Sequence, residues 1–111
     1  MTDEHTLDDL TIVGDDEVPP EDLHTDGDNP NEQGDATFGH LVDGLQSGWV
    51  GGPIVVNTGD LPGYEGDAEG LICDGEHRWR AAKEAGRDTV PIRRVDFDDD
   101  AQRRYWRQHL N

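Results

Sequence analysis

The chain reads as an α/β (α+β) protein, a small mixed β-sheet flanked by helices, and three observations lead there. Apolar runs of strand length, Ile54-Val55-Val56, Leu71-Ile72-Cys73 and the Val90-Pro91-Ile92 segment, alternate with stretches of helical periodicity. Glycine or proline punctuates the junctions. The length of 111 residues allows one domain with a single modest core. Only 32% of the residues are hydrophobic, so folding has to rest on a few strongly patterned segments.

Taken in order, residues 1–9 are an acidic N-terminus expected to be flexible, and 10–111 form the single domain. Leu10 to Val13 predicts a short strand and Gly14-Asp15-Asp16 a turn after it. Pro19 to Leu23 predicts one helical turn, since proline suits the first helical position and acids the first turn. His24 to Gly34 is a loop. Asp26 and Asp28 are spaced like the first ligands of an EF-hand, but Pro30, Asn31 and Thr37 occupy positions that calcium ligation needs otherwise, so no calcium site is expected. Asp35 or Thr37 can cap a helix whose Phe38, Leu41, Val42 and Leu45 fall at i, i+3, i+4 and i+7 and read as core, and Gly48 ends it. Pro53 to Asn57 is a buried strand. Thr58 to Gly70 is a glycine-rich acidic connection anchored by Tyr64.

The segment from Leu71 to Gly86 organises the rest. Leu71 to Cys73 end a buried strand, Asp74 is a good N-cap, and Gly75 frees the backbone at the first turn. Helix formers continue from Glu76 to Ala85, and Gly86 supplies a left-handed C-terminal residue. Trp79, Ala82 and Gly86 are expected to face the core. Thr89 to Val95 predicts a strand in which Pro91 points to an edge or an irregular start. Asp98 to Leu110 predicts a last helix, with acids at its N-terminus, Arg103, Arg104 and Arg107 in its later turns, and Tyr105, Trp106 and Leu110 packing inward.

The start of the Glu76 helix carries readable chemistry. The first N–H groups of a helix have no partner inside it and sit at the positive end of the macrodipole, so Gly75, Glu76 and His77 can offer donors to an anion. Arg78 adds a planar guanidinium suited to bidentate contact with phosphate oxygens. Phosphate is the ligand this arrangement suits; a capped helix with surface charges is the plain alternative.

Asp74 to Gly86, D-G-E-H-R-W-R-A-A-K-E-A-G, resembles the G-E-R-R-x-R-A box of the ParB N-terminal domain and the G-x-x-R turn of the ParB-like/sulfiredoxin superfamily. Val18-Pro19-Pro20-Glu21-Asp22-Leu23 with Asp28-Asn29-Pro30-Asn31 resembles the family's opening V-x-x-x-x-L…N-P. Gly48-Trp49 and Pro53-Ile54-Val55-Val56 resemble its G-x-x-x-P-I-x-V strand, and Val90-Pro91-Ile92 its V-P-V strand. The resemblance implies that the box and the glycine loop hold the triphosphate of CTP, or ATP as in sulfiredoxin-like members. Carried over, it names Gly75, Glu76, His77, Arg78 and Arg80, with Gly48, Gly51 and Gly52.

Departures qualify what the resemblance implies. Gly48 to Pro53 is one residue longer than G-x-x-x-P, and His77 stands where ParB has the first of its paired arginines. The chain stops where ParB continues to E-N-x-x-R, so a CTP-gated DNA clamp is not expected of this chain alone. Glu76 occupies the place of the sulfiredoxin cysteine, and Cys73, three residues earlier, reads as a buried thiol, so reductase chemistry is not expected. Some ParB-like proteins resemble nucleases or small-molecule kinases. Glu76 is accordingly a candidate catalytic base, and Asp74 and Glu76 are candidate Mg²⁺ carboxylates; cap and surface roles are the alternative.

The net charge is −17, from 26 acidic and 9 basic residues, and Lys83 is the only lysine among those nine. Dispersed acid with almost no lysine looks like a halophilic surface, which points to a haloarchaeon or one of its viruses or plasmids. Arg93, Arg94, Arg103, Arg104 and Arg107, with Tyr105 and Trp106, form a basic aromatic cluster able to track a nucleic-acid backbone, although the net charge opposes it and a solvated helix face explains it as well. The histidines His5, His24, His40, His77 and His109 have no zinc spacing. A single cysteine excludes an internal disulfide, and no stretch approaches the roughly 20 apolar residues of a membrane span, so a cytoplasmic protein is expected. The functional expectation is a nucleotide-binding module, regulatory or linked to the DNA metabolism of a mobile element. The alternatives are a metal-dependent phosphoryl-transfer enzyme using Glu76, and an interaction or DNA-mimic module without ligand.

Overall fold

A computed structural model describes residues 11–25 and 35–110. Among them run β1 (Thr11–Val18), a 3-10 turn (Pro20–Asp22), α1 (Asp35–Ser47), β2 (Ile54–Asn57), β3 (Ile72–Asp74), α2 (Glu76–Ala85), β4 (Val90–Asp96) and α3 (Asp100–Leu110). The strands form one mixed sheet in the order β1-β4-β2-β3. β4 is antiparallel to β1 and parallel to β2, while β3 returns antiparallel beside β2. The α/β class with a small mixed sheet is therefore as the sequence predicts.

The period of two along each strand divides the apolar residues between the two faces of the sheet. Ile54 and Val56 of β2, Ile72 of β3, and Val90 and Ile92 of β4 join Leu45 of α1 and Trp79, Ala81 and Ala82 of α2 in one buried cluster. Leu71, Cys73, Val95 and Phe97 turn the other way and pack with Leu61 and with Trp106 of α3, and Val55 of β2 is partly buried against them. Helices thus cover both faces, α1 and α2 on one and α3 on the other. Phe38, Leu41 and Val42 pack against the first cluster, as their spacing predicts.

Four local expectations are corrected. Gly14-Asp15-Asp16 is not a turn: β1 runs through it to Val18, absorbing one register shift between Ile12 and Gly14. Arg93 reaches across to Asp15 at 2.8 and 3.0 Å and Arg94 to Asp16 at 3.2 Å, so the acids that suggested a turn pair across strands instead. Pro91 lies in an interior strand, tolerated because it pairs only with Glu17 and stands one residue before the first β2 pairing, Ile54 with Ile92. In α2, Ala81 joins Trp79 and Ala82 in the core, whereas Gly86 is exposed as the left-handed C-cap (φ 77°).

The fourth concerns α3, which begins at Asp100 rather than Asp98. Asp99 Oδ1 accepts from the Gln102 amide at 2.8 Å, and Gln102 Oε1 accepts in return from the Asp98 amide at 2.7 Å, a reciprocal cap that fixes the start. The acidic N-terminus, the loop carrying Asp26 and Asp28, the side chains of Asp35 and Thr37, and that of Leu110 lie outside the described residues.

The 58–70 connection is held to the sheet by polar contacts. Asn57, fully buried, donates from Nδ2 to the carbonyls of Gly59 and Ala68 at 3.1 and 2.9 Å. Gly70 (φ 80°) ends the connection against the Asp22 carbonyl oxygen, which a Cβ there would approach to 2.7 Å, so only glycine fits.

Candidate phosphate-binding turn

The turn between β3 and α2 is set by Gly75, not Asp74. Gly75 is the N-cap residue, in the left-handed region at φ 101° and ψ 20°, with no side-chain cap hydrogen bond. A Cβ at this position would lie 3.1 Å from Arg78 Nη2 and 3.2 Å from Ile54 Cγ1, so both conformation and space require glycine. Asp74 is consequently the last residue of β3, where burial raises its carboxyl above the ordinary range while Arg78 and the Gly75 backbone N–H pull it down.

Arg78, on the first turn of α2, connects the two segments that the sequence singles out. Its Nη1 donates to the carbonyl oxygen of Gly52, and its Nη2 lies 3.6 Å from Asp74 Oδ2. A Cβ on Gly51 (φ 84°) would come within 3.3 Å of Nη1. The guanidinium therefore sits in the space left by two missing side chains, those of Gly51 and Gly75. Trp49 Nε1 donates to the same Gly52 carbonyl at 2.9 Å, a contact within the 48–53 loop that Arg78 ties to the start of α2.

The remaining sequence-derived residues are placed less uniformly. Gly48 closes α1, its amide donating to Gly44 at 3.2 Å, and begins the loop. Gly52 is exposed, with no heavy atom near the position a Cβ would take. His77 is partly buried. Arg78 and Arg80, two positions apart on a helix, project to different sides, and Arg80 Nη2 is 2.6 Å from Glu76 Oε2 rather than at the glycine loop. The Glu76 carboxylate is thus committed to an ion pair within α2. Among the described residues, no group of three or more histidine, cysteine or acidic side chains could hold a metal ion. The role of Trp49 was not foreseen; its place beside Gly48 was visible, its indole hydrogen bond was not.

The basic aromatic cluster is largely neutralised. Arg93 and Arg94 pair with Asp15 and Asp16, and Arg94 also approaches Glu69 at 3.3 Å. Arg104 Nε meets Asp100 Oδ2 at 2.7 Å. Arg103 leaves the cluster altogether: it is fully buried, 2.8 Å from Asp100, because it precedes the buried Trp106 by one helical turn. Cys73 is buried too, its thiol pushed up to about 12 chiefly by burial, in keeping with an unreactive role. No helix among the described residues is long and apolar enough to cross a membrane.

A protein-family model described as the ParB N-terminal domain matches residues 1–107. The chain belongs to the ParB N-terminal domain family. Solved ParB structures agree. ParB from Caulobacter crescentus, C-terminally truncated and complexed with CTP-gamma-S, is 33% identical over 83% of this chain and 49% of that one, with a TM-score of 0.65. The same protein complexed to the centromeric parS site is 34% identical over 78% of this chain and 42% of that one, with a TM-score of 0.57. A pNOB8-like ParB N-domain covers all of this chain and 36% of its own at 19% identity, with a TM-score of 0.67, a likeness of fold alone. No curated protein sequence matches the chain. This ParB N-terminal domain spans about half the length of the CTP-gamma-S-bound ParB chain it matches.

Proposed function

We propose that this ParB N-terminal domain is a nucleotide-binding module that receives the phosphates of CTP between the Gly75–Arg78 turn and the Gly48–Pro53 loop. The observation that carries the reading is the position of Arg78, whose guanidinium bridges Gly75 and the carbonyl of Gly52. Two glycine-bearing backbones meet there beside a cation, at the N-terminus of a helix. The C. crescentus ParB that resembles it is complexed with a CTP analogue, which favours CTP over ATP as the first nucleotide to test. A regulatory role, a link to parS-type DNA through a longer assembly, and an origin in a salt-adapted organism or mobile element belong to the same proposal.

Phosphoryl transfer is the lesser reading, because the Glu76 carboxylate is paired with Arg80. Mg²⁺ belongs to either reading as a partner of the phosphates. Calorimetric titration with CTP, ATP and ADP, with and without Mg²⁺ in molar salt, tests the proposal. Saturable heat from CTP without product formation is the expected result. Turnover lost in Glu76→Gln would replace it with an enzyme, and silence with every nucleotide would leave an interaction module.

A further inference from the structure

The guanidinium at this turn already faces an anion. The Asp74 carboxylate lies 3.6 Å from Arg78 Nη2, with both side chains about four-fifths buried. That is the guanidinium that a phosphate oxygen would use. A carboxylate buried to that extent keeps its charge at a desolvation cost, and burial is the foremost influence on this carboxyl. Arg78 is also confined from two sides. Gly51 and Gly75 leave it only the width of their absent side chains, and the Gly52 carbonyl fixes Nη1, so the guanidinium has little freedom to serve two anions by swinging away.

We infer that Asp74 is a resident competitor of the nucleotide: its carboxylate is ion-paired with the Arg78 guanidinium, and an incoming phosphate has to compete with it for that cation. The inference rests on the nucleotide-binding reading and deepens it. Asp74 is on this view a positioning residue whose charge raises the concentration at which the site fills and keeps it closed to weakly charged anions.

Titration of the whole chain with CTP and, separately, with inorganic phosphate distinguishes this from a purely structural role. Asp74→Asn keeps the shape and removes the charge, and is expected to bind both probes roughly tenfold more tightly, the scale of one competing charge removed from beside the guanidinium. Asp74→Glu, which restores the charge, is expected to return affinity to the wild-type level, and Asp74→Ala should follow Asp74→Asn if charge rather than packing matters. Thermal unfolding of each variant verifies that it is folded. Wild-type binding of CTP with unchanged or weaker binding in Asp74→Asn would overturn the inference while leaving the nucleotide site intact. No binding by wild type or by any variant would overturn both.

Discussion

Trp79 Nε1 donates to the carbonyl oxygen of Pro20 at 2.8 Å, tying α2 to the 3-10 turn 59 residues earlier in the chain. The indole also packs in the first core cluster, and Lys83 Nζ lies 3.6 Å from its ring centroid. One side chain therefore positions the helix whose first turn forms the candidate site.

Trp79→Phe keeps an aromatic ring but leaves the buried Pro20 carbonyl without this donor and opens a gap. A loss of about 2–3 kcal/mol is expected, read as a lower midpoint in denaturant unfolding. A loss below about 0.5 kcal/mol, the scale of an ordinary surface substitution, would mean that the turn is held by other contacts.

Asp100 is the counter-charge of the buried Arg103, with Oδ1 at 2.8 Å, and it also receives Arg104. Removing one member of such a pair strands the other, so Asp100→Ala should cost about 3–5 kcal/mol. Arg103→Met, which removes the buried charge itself, should cost less. The order of the two unfolding midpoints checks this, and the reverse order would show that Arg103 contributes mainly by packing.

Cys73 should be silent to thiol reagents at pH 8 in the folded protein and react once denaturant unfolds it. Its thiol is raised from 9.0 to about 12, so between those values the native state keeps a proton that the unfolded chain has lost. Stability should accordingly fall as pH rises through that window, by up to about 1.4 kcal/mol per pH unit. Cys73→Ser should flatten the alkaline slope in denaturant unfolding from pH 8.5 to 10.5. An unchanged slope would assign the fall to other groups.

Much of this was readable in the residues, and what was not is non-local. Apolar runs marked β2, β3 and β4, and Asp74 to Gly86 marked the turn, the helix and its end. Only the start of β1 was legible, at Leu10 to Val13; its continuation through the acidic Gly14 to Val18 lacks alternation and is held by pairing with β4, where Arg93 and Arg94, more than 70 residues away, meet Asp15 and Asp16. Of the two readings of Pro91, an edge or an irregular start, the edge fails because β4 lies inside the sheet, and Pro91 fits there since β2 pairing begins only opposite Ile92, which the sequence does not reveal. Arg103 was read as a surface charge, although its spacing from Trp106 already placed it on the inward face. At the site, the glycine loop and Arg78 were visible as separate motifs. That Gly75 rather than Asp74 begins the cap, freeing the Asp74 carboxylate to meet Arg78, depends on a backbone angle and not on composition.

Salt should stabilise the fold. With 26 acidic against 9 basic residues, repulsion among surface carboxylates outweighs exposed pairs such as Arg93–Asp15, and the Debye length shrinks from about 10 Å at 0.1 M to about 3 Å at 1 M. The melting temperature should rise between 0.1 and 2 M NaCl. A fall would mean that the exposed ion pairs, rather than the net charge, govern stability.

The most direct measurement is the amide spectrum of the ¹⁵N-labelled chain as CTP is added in molar salt. Saturable shifts centred on Gly51, Gly52, Gly75, Glu76 and His77, and abolished by Arg78→Ala in a protein that still melts cooperatively, are the expected result. Unmoved amides at that turn, or identical shifts in Arg78→Ala, would contradict a phosphate site at the start of α2.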